Sequence, residues 1–121
     1  MKTKSMYAEE IMEIYSEKPN FGRLKDATHS ATLKNSGCKD EFTLELKIDD
    51  DGKILDAKFH GNGCVISTVA ASILTEKIKG MKLSEAQKLT KKEMDKFLGI
   101  EIIPTKVKCE LLGLEILRRM K

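Results

Sequence analysis

The sequence predicts an α+β domain in which a small three-stranded antiparallel sheet packs against helices. Two observations carry the prediction. First, Phe42, Leu44, Leu46 and Ile48 alternate with Glu41, Thr43, Glu45 and Lys47, the period of two of a half-buried strand. Asp49-Asp50-Asp51-Gly52 then turns the chain into a second strand bearing Ile54, Leu55, Ala57 and Phe59, a short connection that makes an antiparallel hairpin. Second, beyond Cys64 the apolar residues Ile66, Val69, Ala70, Ile73, Leu74 and Ile78 recur every three or four positions up to Gly80, a helix with one apolar face. A helix, then strands, then helices is the order of a sheet covered on one face.

The remaining elements follow in chain order. Tyr7, Ile11, Ile14 and Tyr15, with acidic residues between them, predict an amphipathic helix over residues 4 to 17. Lys18-Pro19-Asn20-Phe21-Gly22 ends it, because proline and the residue before it resist continuation. A polar, threonine-containing run over residues 27 to 35 reads as an edge strand, and Gly37 opens a short loop carrying Cys38 and Asp40. Ser84 with Gln87, and Thr90 with Glu93, match capping boxes, so two short helices are expected over residues 84 to 90 and 91 to 98, closed by Gly99. Pro104-Thr105 introduces a last helix, with Leu111, Leu112, Leu114, Ile116 and Leu117 inward and Arg118, Arg119 and Lys121 at its negative end.

The chain of 121 residues reads as one domain, long enough to bury roughly two-thirds of its unfolded surface. Aromatic residues make up only 5% and tryptophan is absent, so the core is expected to be aliphatic and platforms for stacking bases are few. With 22 basic and 19 acidic side chains interspersed, the net charge of +3 reads as a solvated surface, and nucleic acid is not expected as a partner. No signal peptide is recognisable, and no apolar run approaches the roughly 20 residues that span a bilayer, so a soluble, cytoplasmic protein without membrane contact is expected. In a reducing compartment an odd number of cysteines, Cys38, Cys64 and Cys109, argues for metal binding or sulphur chemistry rather than a disulphide framework.

Placement strengthens that reading. Cys64 stands at the mouth of the predicted helix, where unpaired N–H groups and the helix dipole favour thiolate. A hairpin starts and finishes at the same end of a sheet, so Cys38 and Cys64 should emerge together, with Asp40 close by. Three thiolates and a carboxylate would complete a four-coordinate zinc site, or hold an iron-sulphur cluster with one weaker oxygen ligand. The bland alternative for each cysteine alone is a small buried hydrophobe. A nucleotide-binding reading of Gly61-Asn62-Gly63 fails because Ile66 occupies the place of the third glycine and no P-loop lysine follows. The acidic triplet at Asp49 lacks the further oxygen ligands of a calcium loop.

At Asn35-Ser36-Gly37-Cys38-Lys39-Asp40, Asp50-Asp51-Gly52-Lys53-Ile54-Leu55-Asp56-Ala57-Lys58-Phe59, Gly61-Asn62-Gly63-Cys64-Val65-Ile66-Ser67 with Ala70-Ala71-Ser72 and Gly80, and Lys108-Cys109-Glu110, the sequence resembles the IscU, NifU N-terminal and SufU iron-sulphur cluster assembly scaffolds. The resemblance runs in order over nearly the whole chain. It implies a SufE/NifU-like fold and a platform that builds a [2Fe-2S] cluster from iron and from persulphide sulphur supplied by a cysteine desulphurase, then passes it to apo iron-sulphur acceptor proteins. It implies Cys38, Asp40, Cys64 and Cys109 as ligands and Cys109 as the persulphide acceptor, with zinc in the same pocket as a resting or isolated state. The chain is then a scaffold rather than an enzyme. The alternatives are a zinc-bound persulphide relay of the SufU type and a structural zinc module.

The chain departs from the family pattern at several places. Lys108 replaces the histidine that IscU has before its third cysteine, while the insertion typical of SufU is absent. Lys39 stands where the family has glycine, a position where positive φ is expected to suit lysine poorly. Ile102-Ile103-Pro104-Thr105-Lys106 keeps only the Pro and Lys of the motif IscU presents to its Hsp70-type chaperone, which argues against chaperone-assisted transfer. Only Asn20 and Gly22 persist of the Asn-Pro-Arg-Asn stretch after the first helix. His60, four residues before Cys64, is a reserve ligand, and His29 reads as a surface residue.

Overall fold

The computed structural model describes residues 4–35, 39–100 and 102–121, with side chains from Glu9 onward in the first helix. Along the chain run α1 (Lys4–Glu17), β1 (His29–Asn35), β2 (Asp40–Ile48), β3 (Ile54–Asn62), α2 (Val65–Ile78), α3 (Leu83–Ala86), α4 (Lys91–Leu98), a 3-10 turn (Pro104–Lys106) and α5 (Val107–Arg118). The sheet has the order β1-β2-β3 with both pairs antiparallel, as the alternation predicts. Tyr7 lies outside the described side chains.

Alternation in β2 sends Phe42, Leu44 and Leu46 to one face, where they meet Leu33 and Ala31 of β1 and Phe59 and Ala57 of β3. Helices α2 and α5 cover that face with Ala70, Leu74, Ile78, Leu114 and Leu117. Each fully buried Leu or Ile contributes about 1.5–3 kcal/mol of transfer free energy. The core is largely aliphatic, as the composition implies, with an aromatic pair in it: Phe42 and Phe59 stack edge to face at 5.5 Å, and exposed Phe21 caps Phe59 from outside at 5.3 Å. Gly113 lets α5 approach α2, since a Cβ there would meet Leu74 at 2.7 Å. A second cluster, in which Ile11, Ile14 and Tyr15 pack with Val65, Val69 and Leu98, docks α1 against α2 and α4.

The segment after α1 ties the outer side together. Gly22 N–H bonds Phe59 O at 2.7 Å and Phe59 N–H bonds Asn20 O at 3.0 Å, so these residues run along the free edge of β3. The chain then passes over the outer face, where Leu24 N–H bonds the Glu45 carboxylate at 2.9 Å, and reaches β1 through Thr28 N–H to Leu46 O at 2.8 Å. Asn20, at φ 67°, anchors the crossing: its amide donates to Thr75 Oγ1 at 3.2 Å and to Glu76, and Lys79 Nζ donates to its Oδ1 at 2.7 Å. That latch accounts for the asparagine that survives in an otherwise altered stretch.

Asp49 caps its own turn by accepting the N–H groups of Asp51 and Lys53, both at 2.9 Å, which makes the acidic triplet a solvated turn. Two boundaries differ from expectation. Asp40 opens β2 instead of lying in a loop, because it pairs with Asn35 across the hairpin end. The Ser84–Gln87 box does not form: Lys82 is held extended by pairing with Lys53, and Leu83 N–H bonds Gly52 O at 2.9 Å, so α3 begins earlier and ends at Ala86. Glu85 caps it by accepting Lys82 N–H at 3.0 Å, while Gln87 donates to Leu117 O and Met120 O at 2.9 and 2.8 Å. Glu93 does cap α4, accepting Thr90 N–H at 2.7 Å, and Gly99 closes it at φ 77°. Among the described residues no helix is long and apolar enough to cross a membrane.

Candidate metal centre

Three elements bring their ends together at one end of the sheet. Asp40 is the first residue of β2, Cys64 is the N-cap of α2, and Cys109 is the third residue of α5. One ligand atom from each lies within 4.8 Å of the other two, which makes Asp40, Cys64 and Cys109 a cluster capable of holding a metal ion. Asp40 and Cys109 are each only 1% exposed, whereas Cys64 is half-buried. Both described cysteines are free thiols.

The backbone fixes Cys64 from both sides. Its N–H donates to Asp40 Oδ1 at 3.0 Å, and its Sγ accepts Ser67 N–H at 3.4 Å in the first turn of α2. Ser67 also donates its hydroxyl to Cys64 O at 3.1 Å. Burial raises the thiol's pKa, but the Ser67 N–H and hydroxyl and the Cys109 thiol together outweigh it and hold Cys64 below the usual thiol range, against the opposing charge of Asp40. The Ser67 N–H that lowers it belongs to the first turn of α2, the helix mouth. Asp40 Oδ2, by contrast, is buried with no hydrogen-bond partner among the described residues. A desolvated carboxylate oxygen left open beside two thiols fits a cation, whose charge would compensate its burial.

Cys38, the fourth expected ligand, lies outside the described residues. Its neighbour Lys39 adopts φ 60°, the left-handed conformation that the family glycine would take without strain. His60 does not join the cluster. It stands on the outer face beside Glu45, with Nε2 3.8 Å from the carboxylate, because its strand position alternates with core-facing Phe59. His29 bonds Lys121 O at 2.9 Å, and Lys108 is exposed beside Cys109.

The two glycines before Cys64 serve packing. A Cβ at Gly63 would collide with the Ser67 hydroxyl and lie 2.7 Å from the Phe42 ring, and one at Gly61, at φ 130°, would strike the Glu41 carbonyl. What approaches these glycines is β2, through the Phe42 ring and the Glu41 carbonyl. Sequence reasoning passed over Ser67, whose signal is its position three residues after a cysteine N-cap. Behind Cys109, Glu110 is 1% exposed and faces Asp95 and Lys91, the latter at 3.9 Å. Burial, then the hydrogen bond to Asp95 and its charge, pushes the Glu110 carboxyl up to about 8, and Asp95 falls below the usual carboxylate range by accepting from it.

The family model of the NifU-like N-terminal domain matches residues 6–120. The chain is 37% identical to the iron-sulfur cluster assembly scaffold protein IscU of Thermotoga maritima, over 98% of this chain and 94% of that protein. It is 31% identical to the zinc-dependent sulfurtransferase SufU of Bacillus subtilis, over 95% of this chain and 88% of that protein. In structure it resembles a putative iron-sulfur cluster assembly scaffold protein for the SUF system from Fervidobacterium islandicum, with a TM-score of 0.79 at 29% identity, covering 96% of this chain and 97% of that one.

Proposed function

The chain belongs to the NifU-like N-terminal domain family, and from that premise we propose that it is a scaffold on which a [2Fe-2S] cluster is built and from which it is passed on. The observation that carries the reading is the convergence of Asp40, Cys64 and Cys109 within 4.8 Å, with a buried carboxylate oxygen left open among them. With Cys38, two residues before Asp40 in the sequence, the ligand set would be three thiolates and one carboxylate. An oxygen ligand is harder and exchanges more readily than a thiolate, which suits a cluster that must leave.

Sulphur arrives as persulphide from a cysteine desulphurase in the cytoplasm. The Cys109 thiolate attacks the outer sulphur, the donor's S–S bond breaks, and the donor leaves as a thiolate while Cys109 becomes the persulphide. Because Cys109 is 1% exposed, the delivery requires the site to open. The chain supplies ligands and turns over nothing by itself, so it acts as a scaffold rather than an enzyme, and apo iron-sulphur proteins receive its cargo. Pro104 and Lys106 are all that remain of the motif IscU presents to its Hsp70-type chaperone, which argues against chaperone-assisted transfer.

A second reading, a zinc-bound persulphide relay, draws support from how tightly three ligand atoms of the right chemistry are grouped for a single tetrahedral ion. Anaerobic incubation with iron, cysteine and a desulphurase separates the two. A scaffold develops a cluster spectrum and surrenders the cluster to an apo-ferredoxin. A relay keeps zinc, builds no transferable cluster and raises desulphurase turnover.

A further inference from the structure

We propose that the groove between the free edge of β1 and α5 is the docking site for an extended acidic segment of the protein that receives the cluster, an inference resting on the scaffold reading above. Among the described residues β1 pairs only with β2, so its outer edge offers unpaired N–H and C=O groups, the template on which a partner strand adds. The groove beside it has a volume of about 310 Å³, at the small end for ligand pockets, so it takes a few side chains rather than a cofactor. Leu33, Leu111 and Leu112 form its floor, and Lys34, Lys108 and Arg119 its rim.

Charge selects the occupant. None of the three rim cations is ion-paired within 4.0 Å among the described residues, while Glu115, the acid in the lining, is 3.8 Å from Arg118. A second copy of this chain would bring a β1 strand with no acidic residue, leaving the rim cations without complementary charge. An acidic strand meets complementary charge and an apolar floor instead.

Position selects the acceptor. Asn35, at the end of β1, pairs in register with Asp40, and Lys108 precedes Cys109, so a strand laid along this edge ends beside the metal centre. An acceptor must bring several thiolates at once to a site already holding thiols and a carboxylate. The rim cations offset that accumulated negative charge where it is greatest.

The test uses the full chain with Lys34→Glu and Arg119→Glu together, neither a proposed ligand, and Lys34→Gln with Arg119→Gln as a milder pair. Transfer from the cluster-loaded chain to an acidic apo-[2Fe-2S] ferredoxin should slow about tenfold at low salt in the reversed pair, with a flatter salt dependence, while cluster yield and desulphurase-driven assembly stay unchanged. In parallel, the zinc-loaded chain is titrated with the same apo-ferredoxin and its amide resonances are followed by NMR, a readout that needs no cluster. Shifts confined to β1 and the groove-lining residues of α5 from Val107 to Arg119, abolished by the charge reversals, are expected. Shifts elsewhere, or transfer indifferent to both pairs at every salt concentration, overturn the proposal, as does a loss confined to the desulphurase step. If the wild-type chain builds no transferable cluster yet the shifts fall on the groove, the scaffold reading fails and the docking surface stands.

Discussion

The Asp40 carboxylate accepts the backbone N–H of Cys64 at 3.0 Å, joining the first residue of β2 to the N-cap of α2 across the end of the sheet. One oxygen thus holds the loop and the other, buried without a partner among the described residues, is left for a ligand. The two roles separate by substitution. Asp40→Asn keeps an oxygen acceptor for Cys64 N–H but loses the anionic ligand, so stability should change by less than about 1 kcal/mol while zinc affinity falls at least tenfold. Asp40→Ala should lose the affinity and also about 1–3 kcal/mol, because a part-buried N–H is left unsatisfied. Chemical denaturation and a competitive chelator titration of both variants check the split.

Cys64 and Cys109 differ in both accessibility and acidity. Cys64 is half-buried with its pKa held down by Ser67 and the Cys109 thiol, while Cys109 is 1% exposed. Iodoacetamide should therefore alkylate Cys64 of the metal-free chain at least tenfold faster than Cys109 at neutral pH. Peptide mapping by mass spectrometry over time gives both rates. A desulphurase that opens the site should narrow the gap.

Glu110 predicts a pH dependence of stability with a definite sign. Its folded pKa of about 8 exceeds the ordinary value of 4.5, so between these the folded chain holds a proton that the unfolded chain has lost. Stability accordingly falls as pH rises from about 5 to about 8, by on the order of 3 kcal/mol. Glu110→Gln keeps a neutral donor for Asp95 and should flatten that decline, becoming the more stable chain at pH 8. Thermal melts at pH 5, 6.5 and 8 report the difference.

The backbone around the site makes two opposite predictions. Gly63→Ala places a methyl group against the Phe42 ring and Ser67, an overpacking that should cost about 1–3 kcal/mol and loosen the Cys64 corner. Lys39→Gly removes a left-handed strain of about 1 kcal/mol, partly offset by the greater freedom of the unfolded chain, for a net gain near 0.5 kcal/mol. Urea unfolding of the two variants should move the midpoint in opposite directions.

Much of this was legible in the sequence because single physical periods dominate it. Phe42 to Ile48 could alternate only as a strand with one face buried, and the stripe from Ile66 to Ile78 only as a helix packed on that face. The meeting of Asp40 and Cys64 followed from hairpin geometry, and that of Cys109 entered by resemblance to the scaffold family. What escaped depends on contacts between distant segments. Gln87 reads locally as a capping residue, but the carbonyls at the end of α5 claim it. Gly61 and Gly63 carry no local sign that the Phe42 ring and the Glu41 carbonyl lie against them. Glu110 looks like a surface acid beside a cysteine, and only the packing of α4 on α5 buries it against Asp95. The latch at Asn20 likewise needs α2 to be in place.

The most direct test of the central claim is Mössbauer spectroscopy of the chain reconstituted anaerobically with iron-57, cysteine and a desulphurase. A [2Fe-2S] cluster held by three cysteines and Asp40 predicts two ferric sites of equal area, one with sulphur ligands only and one with an oxygen ligand, converging when Asp40 is replaced by cysteine. A chain that binds no iron beyond a mononuclear ferrous species, with zinc retained in the site, would contradict the account.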